Sequence, residues 1–248
     1  MFWNLALILI LNLPGPRFHY LTSYSPRGYL GPVKWQKRPE MEWKFIKKIK
    51  LPSPKLPSIS LQEALYKRRS RRRFFRSGIK LEVLSGILNA ADGVSDEKWG
   101  IKLRTAPSAG ALYPIFIYFF AEQVEGLEKG LYLFLPEENS VGLLKRESFR
   151  RQVLRFSPQG DMMARAPLLL VLVSFFQRVT WKYLDRGYRY AYMEAGAISQ
   201  NIYLACEAFG LSTVEIAAFY DTYINELLGL NGTTSAALIL HPVGPRTK

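Results

Sequence analysis

Apolar positions change their period several times along the chain, and each change marks an element. Leu81, Leu84, Ile87, Leu88 and Ala91 recur at helical spacing and stop before Gly93, which predicts a helix. Ile115 to Ala121 is a continuous apolar run of strand length. Leu168 to Phe175 is apolar at nearly every position, as expected of a central strand buried on both faces. Gly130 to Leu135 and Ser140 to Leu144 flank the turn sequence Pro136-Glu-Glu-Asn139 and read as a hairpin or meander. Ser148 to Phe156 fits a helix. Ala191, Ala195, Ile198, Ile202, Ala205 and Phe209 share one face of a long helix ending at Gly210, with residues small enough for another helix to approach closely. Ser212 to Ala218 is strand or loop. Asp221 is placed to cap a helix running to Leu228 with Gly229 as its stop, and Ala236 to Leu240 is a last strand.

The first quarter of the chain has another character. Phe2 to Leu13 is apolar apart from two asparagines; it is too short for a membrane span of roughly 20 residues and has no basic segment before it or small-residue cleavage site after it. It reads as a packed N-terminal segment, although a secretory h-region has the same length. From Pro14 to Pro57 the chain carries more than half of its 15 prolines together with Tyr20, Tyr24, Tyr29, Trp35, Trp43 and Phe45. That mixture excludes a continuous helix or a central strand and predicts an extended arm wrapped on the core or on a partner subunit. Lys44 to Lys50, alternating with Phe45, Ile46 and Ile49, is an amphipathic surface element. Regular structure begins at Ser60-Leu-Gln-Glu63, a capping box. Residues 1–57 are thus an apolar segment plus arm, and 58–248 form one domain.

Composition narrows the class. With 248 residues, 48% hydrophobic and 14% aromatic, the chain can bury a full core. A formal net charge of +14 attracts polyanions, which leaves nucleic acid and anionic cofactors both open. The single cysteine, Cys206, allows no internal disulfide and sits on an apolar helical pattern, which fits a buried small residue in a reducing, cytoplasmic compartment. His19 and His241 are far apart with no acidic or cysteine cluster beside them, so neither a metal site nor histidine-based catalysis is expected. There is no Gly-x-Gly-x-x-Gly opening a helix and no Gly-Lys-Ser/Thr loop. Any phosphate must be held by side chains.

The chemistry for that is concentrated in Arg68-Arg69-Ser70-Arg71-Arg72-Arg73-Phe74, just after the first capped helix. Guanidinium forks grip phosphate oxygens in pairs. The run fits a bound nucleotide, a nucleic-acid patch or a solvated basic face. No aromatics interleave it as stacking platforms, which counts against nucleic acid.

The arginine run, the loop Pro107-Ser-Ala-Gly-Ala-Leu-Tyr-Pro114 and the later helix through Tyr188-Arg189-Tyr190 occur in an order that resembles the nitroreductase-like flavoproteins. The resemblance is closest to the SagB-type dehydrogenases and extends from Phe18-His-Tyr-Leu-Thr22 to Pro242-Val-Gly244. It implies an α+β fold with a mixed, mainly antiparallel central sheet flanked by helices, and noncovalent FMN. It also implies a homodimer with the long central helix at the interface and each flavin between two subunits.

Position by position, the resemblance assigns Arg68, Arg69, Ser70 and Arg72 to the FMN phosphate and nearby ring edge, leaving Arg71 and Arg73 outward or structural. Pro107, Ser108, Ala109 and Ala111 match the loop that reaches the flavin from the partner subunit. Ile216, Ala217 and Ala218 match the segment whose backbone amide donates toward flavin N5, where relatives often carry glycine or glutamate-glycine. Arg246 is a second phosphate contact, and Ala197 stands where the family suggests histidine. Lys182 and Tyr183 match a catalytic Lys-Tyr pair of peptide-azoline oxidases. Aromatising an azoline removes a proton and a hydride from neighbouring carbons, and lysine and tyrosine suit the proton. The residues alone also fit a surface lysine and a packing tyrosine. The implied function is FMN-dependent dehydrogenation of azoline-like heterocycles in peptides, with a modifying complex as the implied partner; a nicotinamide-dependent nitro- or ene-reductase and a nucleic-acid-binding or scaffold protein are the alternatives.

Overall fold

The computed structural model describes residues 14–23, 41–75 and 77–247; the apolar run at 2–13 and the middle of the arm, 24–40, lie outside the described residues. The strands are β1 (Lys47–Lys50), β2 (Val94–Lys98), β3 (Ile101–Arg104), β4 (Ile115–Ala121), β5 (Gly130–Leu135), β6 (Ser140–Lys145), β7 (Leu168–Phe175), β8 (Leu211–Thr213) and β9 (Ser235–Pro245). The helices are α1 (Pro14–Leu21), α2 (Leu61–Lys67), α3 (Leu81–Asp92), α4 (Arg150–Phe156), α5 (Gly160–Met163), α6 (Gln177–Tyr183), α7 (Arg186–Ala208) and α8 (Asp221–Leu228).

Seven strands form one sheet in the order β1-β6-β5-β4-β7-β9-β8, with every neighbouring pair antiparallel. Successive residues of a strand face opposite sides, and both sides are covered. Ile115, Ile117, Phe119, Leu168, Leu170 and Leu172 pack with α3 and α7, while Phe116, Tyr118, Phe120, Leu169, Val171 and Val173 pack with α4 and α8. Two-sided burial is why β4 and β7 read as unbroken apolar runs. The close approach of α3 to the end of α7 depends on Gly86, where a Cβ would meet the Phe209 ring at 2.6 Å.

Several expectations need correction. The start of the arm is helical: the prolines at 14 and 16 fall in the first turn of α1, where amide hydrogens have no helical partner anyway. The end of the arm supplies β1, an edge strand paired with β6, and Trp43 beside it donates from Nε1 to the Tyr118 hydroxyl at 2.9 Å. The Ser60 box is half formed: Ser60 accepts from the Glu63 amide at 3.0 Å, while the Glu63 carboxylate pairs with Lys67. The helix expected from Ser148 begins at Arg150, and Asp221 is the first residue of α8 rather than its cap. Polar β2 and β3 form an unexpected hairpin beside the main sheet. The last strand continues to Pro245, because β7 pairs along one side and β8 joins from Val243 onward on the other. The ladder on that second side breaks opposite Pro242, which has no N–H to give, and resumes at the Ile216–Leu240 bridge.

Candidate functional site

The arginine segment leaves α2 and is fastened along the sheet edge. The Arg71 amide donates to Thr213 at 2.9 Å, Phe74 forms a bridge with Arg246, and the Phe75 amide donates to Pro245 at 2.9 Å. Its side chains then divide. Arg71 turns inward to the buried Glu207 carboxylate at 2.6 Å, which also accepts from Arg246 at 3.0 Å. Arg71 is therefore structural, and Arg246 is held by a carboxylate. Arg69 folds back on the Tyr66 and Arg68 carbonyls. Arg68 lies over the Tyr203 ring, 5.0 Å from its centroid, and Ser70 Oγ is 2.9 Å from the Tyr203 hydroxyl. That hydroxyl oxygen accepts from the Glu215 amide at 2.7 Å, so its hydrogen is available to Ser70, and the Ser70 hydrogen is left to donate outward. Arg72 is exposed and pairs with no carboxylate among the described residues. Arg68 and Ser70 present a cationic and a hydroxyl donor together at Tyr203, and Arg72 adds an exposed guanidinium two residues on; donors of these types could hold a phosphate monoester.

Beside it runs the segment after β8. Ile216 is buried and bridged to Leu240, whereas Ala217 and Ala218 are exposed. The amides of Ala217 and Ala218 donate to nothing among the described residues, although Ala217 and Ala218 accept through their carbonyls from the Phe219 amide and Ser157 Oγ. Two adjacent unclaimed donors fit a flat acceptor such as a flavin edge.

The Pro107–Ala111 loop is braced from below. Ser108 Oγ accepts from the Tyr113 amide at 2.9 Å and donates to Glu194 on α7, so this side chain serves the loop itself. Arg178, also buried, donates to the Tyr113 and Leu112 carbonyls at 3.1 and 3.3 Å. Arg104 is paired with Asp92 at 2.6 Å and stacks on the Tyr113 ring, 4.4 Å from its centroid. These bonds hold three residues at positive φ, Gly110 at 62°, Ala111 at 52° and Tyr113 at 48°, a conformation costing roughly 1–2 kcal/mol for each that is not glycine. Burial pushes the Glu194 carboxyl up to about 8, and pushes Asp92 up to about 7 against the opposing pull of Arg104.

Lys182 and Tyr183, at the end of α6, converge on this loop. A Cβ built on Gly110 would lie 2.8 Å from the Tyr183 hydroxyl and 3.0 Å from Lys182 Nζ. Tyr183 meets Tyr190 edge to face with ring centroids 5.0 Å apart. The loop and the arginine segment are attached to α7 at different levels, through Glu194 and Tyr203, about 14 Å apart along the helix axis at ~1.5 Å per residue.

Glu194, Tyr203 and Glu207 went unassigned in the sequence, as did Asp92, Arg104 and Arg178. A signal was available for Glu194: it lies three residues after Ala191 and four before Ile198, on the buried stripe of α7. His241, set aside as isolated, is fully buried and bonded to Ser199 and Thr213, at 2.8 and 3.2 Å. Cys206 is buried and its thiol is pushed up by burial, as a packing residue's would be.

A helix-covered antiparallel sheet, with an arginine-rich segment fastened along its edge and a braced loop attached to the long helix, defines the protein as α+β. The chain belongs to the nitroreductase family of oxidoreductases, whose model matches residues 65–244. A provisionally named nitroreductase of Methanocaldococcus jannaschii, MJ1384, is 39% identical over 191 residues, covering 77% of this chain and 93% of that one. Microcin B17-processing protein McbC of Escherichia coli is 30% identical over 148 residues, covering 57% of this chain and only 54% of McbC. Among solved structures, a Ralstonia eutropha protein of the nitroreductase class superimposes with a TM-score of 0.69 at 27% identity, covering 88% of this chain and 98% of that one. At lower identity, where the likeness shows the fold alone, are the E. coli microcin synthetase McbBCD complex with truncated pro-MccB17 bound (TM-score 0.62, 22%, 98% of each chain) and a Desulfovibrio desulfuricans nitroreductase-class protein in complex with FMN (TM-score 0.53, 16%, 77% of this chain and 88% of that one). No helix among the described residues is long and apolar enough to cross a membrane.

Proposed function

We propose that this chain is an FMN-dependent oxidoreductase of SagB type that dehydrogenates azoline-like heterocycles in a peptide. The observation that carries this reading is the convergence of Lys182 Nζ and the Tyr183 hydroxyl on Gly110 of the Pro107–Ala111 loop. A lysine and a tyrosine there can handle a substrate proton beside a redox cofactor. When bound, FMN supplies the hydride acceptor. Arg68, Ser70 and Arg72 would hold its phosphate, and the Ala217 and Ala218 amides would be the donors offered to its ring. Lys182 takes the ring proton of the substrate, and Tyr183 orients the reacting carbon and keeps Lys182 in place. The partial match to McbC, named for processing microcin B17 and found in the microcin synthetase McbBCD complex, supports a peptide substrate and a modifying-complex partner.

The loop and the phosphate cradle become one site in a homodimer. Antiparallel pairing of two α7 helices brings the loop of one protomer toward the cradle of its partner. Exposed Tyr192 and Met193 on α7, with Gly196 open to solvent, suit that contact. The test is flavin absorbance of the purified protein, then turnover of an azoline-bearing peptide by wild type, Lys182→Ala and Tyr183→Phe. Both variants should keep FMN and lose at least about tenfold in turnover, a threshold set below the usual general acid–base contribution of ~10²–10⁴ because water can partly replace the missing group. Unchanged turnover sinks the assignment.

The 39% identity to MJ1384 favours a second reading, a nicotinamide-dependent nitro- or ene-reductase acting through the same flavin site. Under that reading NADH or NADPH reduces the flavin, and Lys182→Ala leaves nitroarene reduction intact.

A further inference from the structure

The register that pairs Thr213 with Val243 and Ile216 with Leu240 sets Glu215 opposite His241. Between them lies Ser199 of α7, whose hydroxyl contacts both Glu215 Oε2 and His241 Nε2, the latter at 2.8 Å. Thr213 Oγ1 stands 3.2 Å from His241 Nδ1 at the far end. Ser199, His241 and Thr213 are all buried, while Glu215 is exposed. With His241 neutral, one hydrogen pattern satisfies the line once Ser199 donates to the Glu215 carboxylate. Thr213 donates to Nδ1, the Nε2 hydrogen goes to Ser199, and Ser199 donates to Glu215. His241 is neutral in that pattern, in keeping with burial that pushes its value down to about 3. The line therefore orients Glu215 without neutralising it.

Glu215 also belongs to the cradle. Its amide and Ser70 Oγ meet the same Tyr203 hydroxyl, and it immediately precedes Ile216, Ala217 and Ala218. We infer that Glu215 is a fixed carboxylate of the flavin cleft, held by the Ser199–His241–Thr213 line, that biases bound flavin toward its oxidised form. This rests on the FMN reading above. A hydride brings two electrons and one proton, so a flavin that accepts one gains a unit of negative charge, which a fixed carboxylate opposes. Arg68 over Tyr203 acts in the opposite sense, and substitution at Glu215 separates the two.

The experiment compares dissociation constants of the whole protein for oxidised FMN and for FMN reduced by dithionite, in wild type, Glu215→Gln and Ser199→Ala. Glu215→Gln should shift the affinity ratio about tenfold toward reduced FMN, equivalent to about 30 mV for a two-electron couple. Ser199→Ala, which frees the carboxylate to swing away, should shift it in the same direction by less. A Glu215→Gln ratio within twofold of wild type overturns the inference while leaving the FMN reading intact. Wild type that binds neither form overturns both, and shows it before any variant is made.

Discussion

Gly110 leaves room for Tyr183: the tyrosine hydroxyl occupies space that any β-carbon at position 110 would enter, and the glycine sits at φ 62°. Gly110→Ala therefore has two costs. Left-handed backbone adds roughly 1–2 kcal/mol, and the new methyl displaces the far ends of Tyr183 and Lys182. Those ends are flexible, so the protein should still fold, with a Tm lower by about 2–4 °C per kcal/mol, while turnover falls by at least about tenfold. Calorimetry and steady-state kinetics on one preparation check both parts; unchanged turnover would show that the convergence has no role in chemistry.

The phosphate cradle makes a divided prediction. Arg68→Ala and Arg72→Ala should each weaken FMN binding about tenfold or more, since a charge-assisted bond contributes roughly 1.5–3 kcal/mol. Arg71→Ala should leave FMN bound and lower thermal stability instead, because Arg71 is engaged with buried Glu207. Flavin fluorescence titration of the three variants separates the roles.

Glu194 predicts a pH dependence of stability. Its folded-state value, about 8, lies above the usual 4.5, so its contribution is fully present below about pH 4.5 and is lost as pH rises through 8. Asp92, raised to about 7, acts in the same direction. Glu194→Gln should flatten the decline in denaturation midpoint between pH 5 and 8, and an equally steep decline in the variant would reject the assignment.

Asp92 and Arg104 form an ion pair with side chains only 2% and 6% exposed. At pH 8, Arg104→Ala removes the pull that opposes burial, so Asp92 must either stay buried unpaired or take up a proton, and the variant should cost roughly 3–5 kcal/mol. Removing both partners in Arg104→Ala/Asp92→Ala should recover part of that loss. Urea denaturation of the single and double variants measures it.

Period and turn chemistry in the sequence were enough to place the strands buried on both faces and the long helix. The bounds of Leu168–Phe175 and Gly130–Leu135 follow directly from runs of apolar residues, because a strand covered on both sides tolerates nothing else. The β2–β3 hairpin was invisible for the converse reason: it is exposed throughout β2, so no apolar alternation marks it. The sequence ends the last strand at Leu240, whereas the pairing carries it past Pro242 to Pro245, accommodating the proline by breaking the ladder on one side only.

By itself the sequence determined the arginine-rich run, its place after a capped helix, and the order of motifs that resembles one family. Only the tertiary structure decided how those side chains divide. Adjacent arginines project in different directions, so Arg71 is drawn to Glu207, more than a hundred residues away, while Arg68 and Ser70 meet at Tyr203. The same holds for Lys182, Tyr183 and Gly110, and for Glu215 and His241. Such meetings depend on how α6, α7 and β9 are packed and registered, and packing of distant elements leaves no local period to read.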